Sequence, residues 1–183
     1  MIEITPEESL LLQGLSTTAL MAELSVARFE TSDYVNNLPM LDKQFKDILL
    51  ASGIGNPATM QMFLYALLVV PQGVLSDPTY EKLETYLIQL NPYIAQLIES
   101  DTSSTYKSET DFSKINYIRH IRNAVAHASC KYELVLGRTY VTFIDRNTSK
   151  DEHCSIKMET LKVGWILARL QTLIMEYLIS RHP

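Results

Sequence analysis

Apolar residues recur along this chain mostly at three- and four-residue intervals, the spacing that gathers side chains on one side of a helix. Leu10, Leu11, Leu15, Ala19, Leu20, Leu24 and Ala27 form such a series. Thr5-Pro6-Glu7-Glu8 opens it with a capping hydroxyl, a proline in the first turn and carboxylates at the positive end of the helix dipole, which predicts a long first helix to about Thr31. A second helix is expected over 38–50, closed by Ser52-Gly53-Ile54-Gly55, and a third over 56–70, broken by Pro71-Gln72-Gly73. Ser76-Asp77-Pro78 starts a fourth through Tyr80, Leu83, Leu87 and Leu90, kinked or divided at Pro92.

Residues 101–108, rich in Ser and Thr, read as a flexible surface loop, the best-placed segment for mobility. A fifth helix is expected from Asp111 or Ser113. Over 131–145 the pattern changes: Tyr132, Leu134 and Leu136, then Gly137-Arg138, then Tyr140, Val141, Phe143 and Ile144 predict a short β-hairpin. Polar residues 145–153 read as a loop. Residues 156–180 read as a long amphipathic helix offering Leu161, Trp165, Leu167, Leu170, Leu173, Ile174, Tyr177 and Leu178 to a core. The expected fold class is therefore all-α with a minor β-hairpin. It is one helical bundle of about five to seven helices, spanning 1–183 as a single domain, with the hairpin between the fifth and C-terminal helices. The long helices carry more apolar residues than one inward stripe consumes, and the surplus points to a homodimer.

At 183 residues the chain buries roughly two-thirds of its unfolded surface without needing a staple. Its 46% hydrophobic and 20% charged content excludes extended disorder. The acidic start lacks a secretion signal, which predicts a cytoplasmic protein, and the apolar run from Met62 to Pro71 is about half the ~20 residues of a membrane span, so no membrane is expected as a partner. Cys130 and Cys154, the only cysteines, read as reduced thiols flanking the hairpin. With His127 and His153 they make four zinc-type ligands, but the adjacent His153-Cys154 pair could reach one ion only around a sharp turn, and neither metal nor cofactor is expected. The net charge of −5 divides unevenly. Residues 1–106 hold 4 basic and 13 acidic side chains (4 − 13 = −9), and residues 107–183 hold 12 and 8 (12 − 8 = +4). Attraction to phosphate would be local, drawn from Lys107, Lys114, Arg119, Arg122, Lys131, Arg138 and Arg146.

The chemistry concentrates in Arg122-Asn123-Ala124-Val125-Ala126-His127, which puts a permanent cation and an imidazole into an otherwise apolar helix. On a helical wheel Asn116, Arg119, His120, Asn123 and His127 share one polar arc, opposite Tyr117, Ile118, Ile121, Ala124 and Val125. Arg122 falls about 140° from His127. Either its long stem curls around the helix, or a two-fold axis brings the motifs of two subunits into one cleft; the apolar surplus favours the second. An imidazole and a guanidinium together suit chemistry at a phosphodiester, and where that ester is RNA the 2′-hydroxyl is its own nucleophile, so cleavage needs no metal once protein groups move protons and stabilise the extra negative charge. Histidine suits the first task and arginine the second, with 2′,3′-cyclic phosphate and 5′-hydroxyl products.

Arg, a polar residue, three further residues and His resembles the signature of the HEPN superfamily, with Phe143-x-Asp145 as a weaker echo of the hairpins that follow it in relatives. The resemblance implies a small helical domain acting as a metal-independent endoribonuclease, in a toxin or antiviral-defence role, through a composite active site in the cleft of a homodimer. The expected catalytic residues are Arg122, Asn123 and His127, with Arg119, His120 and Asn116 as substrate-binding residues, RNA as substrate, and an antitoxin or regulatory protein as a further partner. Ser129 stands where HEPN toxins paired with a nucleotidyltransferase often carry a modified tyrosine, which makes a stand-alone role the more natural expectation. The alternative is a non-catalytic helical module that binds a partner protein or nucleotide.

Overall fold

The Thr5 hydroxyl accepts the Glu8 backbone N–H, and the Glu8 carboxylate accepts that of Thr5, a reciprocal cap that starts helix α1 (Pro6–Val26) in the computed structural model, which describes residues 4–39, 42–109 and 111–182. Glu8 also pairs with Arg181 and His182, which ties the start of α1 to the other end of the chain. The helix stops before Thr31 because Arg28 turns left-handed, at φ 50°. The short α2 (Asp33–Asn37), capped by Ser32, follows, and then α3 (Lys43–Ser52), capped by Asp42. The expected second helix thus begins later than residue 38, and Met40 and Leu41 lie outside the described residues.

Pro71 does not end the third helix. Helix α4 (Pro57–Leu64) widens into a π-helical turn over Tyr65–Val69, where the Val70 N–H reaches the Tyr65 carbonyl, and continues as α5 (Val70–Val74). The wider turn absorbs the missing proline N–H and the ring's clash with the preceding turn. The joined stretch Pro57–Val74 is 18 residues long and apolar enough by length and composition to cross a membrane, longer than the apolar run alone suggests. Leu64, Leu67 and Leu68 nonetheless sit at 0–1% exposure against the rest of the protein. Helix α6 (Asp77–Leu87) passes through a 3-10 turn into α7 (Asn91–Ala95), the division expected at Pro92.

The largest departure lies in the C-terminal half. The expectation of an all-α fold with a minor hairpin is wrong: the described residues are 63% helix and 15% strand, and the strands form a four-stranded antiparallel sheet. Strand β1 (Ser103–Ser104) precedes helix α8 (Tyr117–Ala126). Strands β2 (Cys130–Val135), β3 (Arg138–Asn147) and β4 (Glu152–Glu159) follow it, and helix α9 (Thr160–Arg181) closes the chain. The spatial order is β1-β4-β3-β2. Residues 145–153 are mostly strand instead of loop, because β3 and β4 pair as far as Asn147 with Glu152. Cys154, Ile156 and Met158 are buried on alternate positions, a period-2 signal that the adjoining helical pattern hid. The expected flexible loop at 101–108 is pinned to the sheet edge: Ser103 and Ser104 pair with Ser155 and Cys154, and Thr105 N–H donates to the His153 carbonyl at 2.8 Å. Leu136 and Gly137, both at positive φ, make the β2–β3 turn.

Helix α8 lies between the sheet and the helical layer, its Tyr117, Ile118, Ile121, Ala124 and Val125 joining Leu64, Leu67, Ile94, Phe143, Ile156 and Ile174 in one apolar cluster. Leu161 and Trp165, expected in this core, are exposed on the face of α9 opposite Val163, Leu167, Leu170 and Ile174.

Candidate functional site

Helix α8 carries the motif, and its two ends decide where the motif points. At the start, the Asn116 side chain accepts the Arg119 N–H and receives a hydrogen bond from Asn91, whose own oxygen accepts the Ile118 N–H. The fifth helix therefore begins at Tyr117, after a 3-10 turn at Phe112–Lys114, and not at Asp111 or Ser113. At the other end Ser129 N–H reaches the Ala124 carbonyl at 2.7 Å and Ala128 N–H reaches that of Val125 at 3.2 Å, with Ala128 left-handed at φ 51°. This paired closure takes His127 out of the helical repeat as the capping residue and leaves it exposed. Ser129 then accepts the Ile144 N–H, which joins the helix end to β3.

Two turns before that end, the helix buries a charged cluster. His120, 1% exposed, has Nδ1 at 2.6 Å from Asp145 Oδ2 and Nε2 at 2.8 and 2.9 Å from the two Glu109 oxygens. Both ring nitrogens therefore face carboxylates, one on each side of the ring. Arg119 Nη2 donates to Glu109 at 2.9 Å, Ser104 Oγ donates to the same carboxylate at 2.8 Å, and the Tyr106 ring lies 4.7 Å from the imidazole. Tyr106 Oη and Asn123 Nδ2 donate to Asp145 Oδ2 at 3.2 and 3.0 Å. Burial raises the Glu109 carboxyl, but the Ser104 and His120 hydrogen bonds, the imidazole charge and the Asn116 N–H overcome it and hold the group below 4.5. Asp145 is held below 3.8 in the same way, against burial, by His120, Asn123 and Tyr106. Burial, and then the Asp145 charge, push the Tyr106 hydroxyl up to about 12.

Arg122 faces the other way, toward α6. Its Nη1 donates to Tyr80 Oη at 2.6 Å and to Glu84 Oε1 at 3.3 Å, while Nε and Nη2 lie 3.4 and 3.3 Å from Asn123 Oδ1. Only 12% of this side chain is exposed. Asn123 therefore links Arg122 to Asp145, and the protomer does not bring Arg122 to His127. The divergence seen on the helical wheel persists in three dimensions.

His127 stands at the lip of an open groove of about 360 Å³, lined also by Ser129, Cys130, Lys131, Asp145 and Arg146. Among the described residues its ring has no hydrogen-bond partner. Asp145 belongs to both places, since it lines this groove and receives the His120 cluster beneath it.

The zinc-type ligands noted in the sequence do not converge. Strand β3 lies between Cys130 on β2 and Cys154 on β4, and His153 is exposed while Cys154 faces inward. A different set, Glu109, His120 and Cys154, has ligand atoms within 4.8 Å of one another, all buried. It does not fit a metal ion: each His120 nitrogen already faces a carboxylate, and Arg119 and Ser104 occupy the two Glu109 oxygens.

Glu109, Tyr106, Tyr80 and Glu84 are site residues that the sequence did not single out. They lie 10 to 42 residues from the α8 side chains they engage, without a local spacing signal, and only Asp145 carried a hint, through the Phe143-x-Asp145 echo. Residues 15–181 match the model of the family described as HEPN pEK499 p136. No curated protein and no solved structure matches the chain.

Proposed function

Because the chain belongs to the HEPN family whose model spans residues 15–181, we propose that it is a metal-independent endoribonuclease acting as a homodimer in a toxin or antiviral-defence role inside the cytoplasm. The observation that carries this reading is the solvent-open imidazole of His127 on a groove that also presents Lys131, Arg146 and the floor carboxylate Asp145. A phosphodiester fits such a groove, with anion-binding side chains and a proton acceptor on the same wall.

In the proposed reaction one His127 takes the proton from a 2′-hydroxyl as its oxygen attacks the adjacent phosphorus. The bond from phosphorus to the 5′-oxygen breaks, and the His127 of a second copy protonates the departing oxygen. A 2′,3′-cyclic phosphate and a 5′-hydroxyl result. Turned away from the His127 of its own protomer, Arg122 stabilises the phosphorane in the groove of the second copy through its remaining Nη2–H, its other donors being committed to Tyr80, Glu84 and Asn123, and Asn123 sets its direction. Arg119, His120 and Asn116 act behind this wall: His120 fixes Asp145, Arg119 fixes Glu109, and Asn116 starts the helix. Exposed apolar side chains on α9 (Leu161, Trp165, Met175 and Ile179) and at the β2–β3 turn (Leu134 and Leu136) supply surface for pairing of subunits.

Incubation of total RNA with the protein in EDTA tests the reading. Cleavage by the native protein and its loss in His127→Ala, with dimerisation and thermal melting unchanged, is the expected result. Intact RNA at every protein concentration overturns it. The second reading, a non-catalytic module, is favoured by one observation: Arg122 is an intramolecular brace in the protomer, and such a brace needs no substrate to explain it.

A further inference from the structure

Most cations of the C-terminal half are matched to carboxylates. Lys157 pairs with Asp101 and Glu133, Lys162 with Glu99, Arg138 with Glu159, Arg181 with Glu8, Arg119 with Glu109 and Arg122 with Glu84. Five exposed cations break this pattern. Among the described residues, Lys107, Lys131, Arg146, Lys150 and Arg169 have no carboxylate at ion-pair distance.

Arg169 stands apart on α9, but the other four are not scattered. The His127 groove with Lys131 and Arg146 adjoins a second groove of about 490 Å³ that shares Ile144 and Arg146 and extends to Asn147 and Glu152. That groove adjoins a third, of about 580 Å³, which shares Asn147 and Glu152 and adds Lys107, Lys150 and Arg119. The opposing charges there are few. Asp145 is buried and engaged by His120, Glu152 accepts the Lys107 backbone N–H at 3.2 Å, and Asp151 is exposed at the β3–β4 turn. An uncompensated basic strip on a chain of net charge −5 is held against its own electrostatic preference for acidic neighbours, and a polyanion supplies what the protein withholds.

We propose that Lys131, Arg146, Lys150 and Lys107 form one track for the phosphate backbone of a single-stranded RNA, leading from the His127 groove over the β3–β4 turn to the segment before α8. The identity of the polymer rests on the ribonuclease reading. A single strand is favoured because in-line attack by a 2′-hydroxyl requires a nucleotide free to leave helical stacking, and because the track follows a run of adjoining grooves lined by backbone-binding cations. The far end of the track, Lys150 and Lys107, lies outside the groove that holds His127, so it acts on long substrates and not on the bond being cut.

The test compares the full chain with its Lys107→Glu/Lys150→Glu variant. The probes are a 2′-O-methyl single strand of about twelve nucleotides, which binds without being cut, and a dinucleoside monophosphate, which reaches only His127. The expected result is an affinity for the long strand reduced about tenfold or more. Its log–log salt slope should be shallower by about 1.4, two cations at roughly 0.7 each, with dinucleotide cleavage unchanged. Unchanged affinity and salt slope overturn the track, even if RNA is still cleaved. Equal binding of a duplex of the same length overturns the single-strand assignment. Loss of long-strand affinity in the variant, with no cleavage by either protein, supports the track and overturns the nuclease reading alone.

Discussion

His120 and His127 lie seven residues apart on the same stretch of chain and live in opposite surroundings. His120 is 1% exposed, with each nitrogen held by a buried carboxylate and an aromatic ring against its face. His127 caps the end of α8 in solvent, its ring unengaged among the described residues, on a groove that Lys131 and Arg146 also line. A histidine whose donors are all committed holds structure together, and one with both nitrogens open to solvent can exchange protons with a bound molecule. Asp145 connects the two, so rigidity built around the first positions the wall beside the second.

The sharpest way to break this contrast is to remove each imidazole in turn. His120→Ala leaves Glu109 and Asp145 buried without their shared cation, which should cost about 3–5 kcal/mol. For a domain of this length that lowers the melting temperature by roughly 6–20 °C. His127→Ala, at an exposed helix end, should stay within about 0.5 kcal/mol of the native stability while lowering cleavage by about 10²–10⁴. Equal melting losses in the two variants would erase the distinction. Arg122→Ala sits between them: loss of its charged hydrogen bonds to Tyr80 and Glu84 should cost about 1.5–3 kcal/mol in urea melts, whether or not RNA is a substrate.

Acid sharpens the same comparison. Glu109 and Asp145 have folded pKa values below their ordinary 4.5 and 3.8, so they bind fewer protons folded than unfolded near those values. Their contribution to stability is therefore full above about pH 4.5 and is lost as pH falls through the depressed folded values. Denaturation measured between neutral pH and pH 3 should show this loss in the native protein and in His127→Ala, and a shallower one in His120→Ala. The smallest effect concerns the turn that releases His127. Ala128 holds a left-handed φ of 51°, and Ala128→Gly should raise stability by about 0.5–1 kcal/mol, read as a melting increase with the groove intact.

Where a sequence signal is local, the fold follows it. The Thr5–Glu8 cap, the helix division near Pro92 and the inward face of α8 from Tyr117 to Val125 all obey short-range spacing. The sheet was less legible. Strand β4 shares its period-2 burial with a stretch whose polar residues suggest a loop and whose next residues begin α9, and β1 is two serines that become a strand only by pairing with β4. The candidate site divides in the same way. Arg122, Asn123 and His127 stand out as a motif, but their directions depend on Glu84, Tyr80 and Asp145, which the motif does not contain.

The sequence by itself determined the helical content of the N-terminal half, the apolar face of α8, the excess of cations after residue 106 and the motif that marks the family. Tertiary structure alone decided that His120 is buried, that Arg122 braces α6, and that four of the five cations without a carboxylate partner among the described residues share one run of grooves. The reason is physical. Helix periodicity and capping act over three or four residues, whereas the partners of a buried charge are chosen by which distant segments the apolar core brings within hydrogen-bond reach.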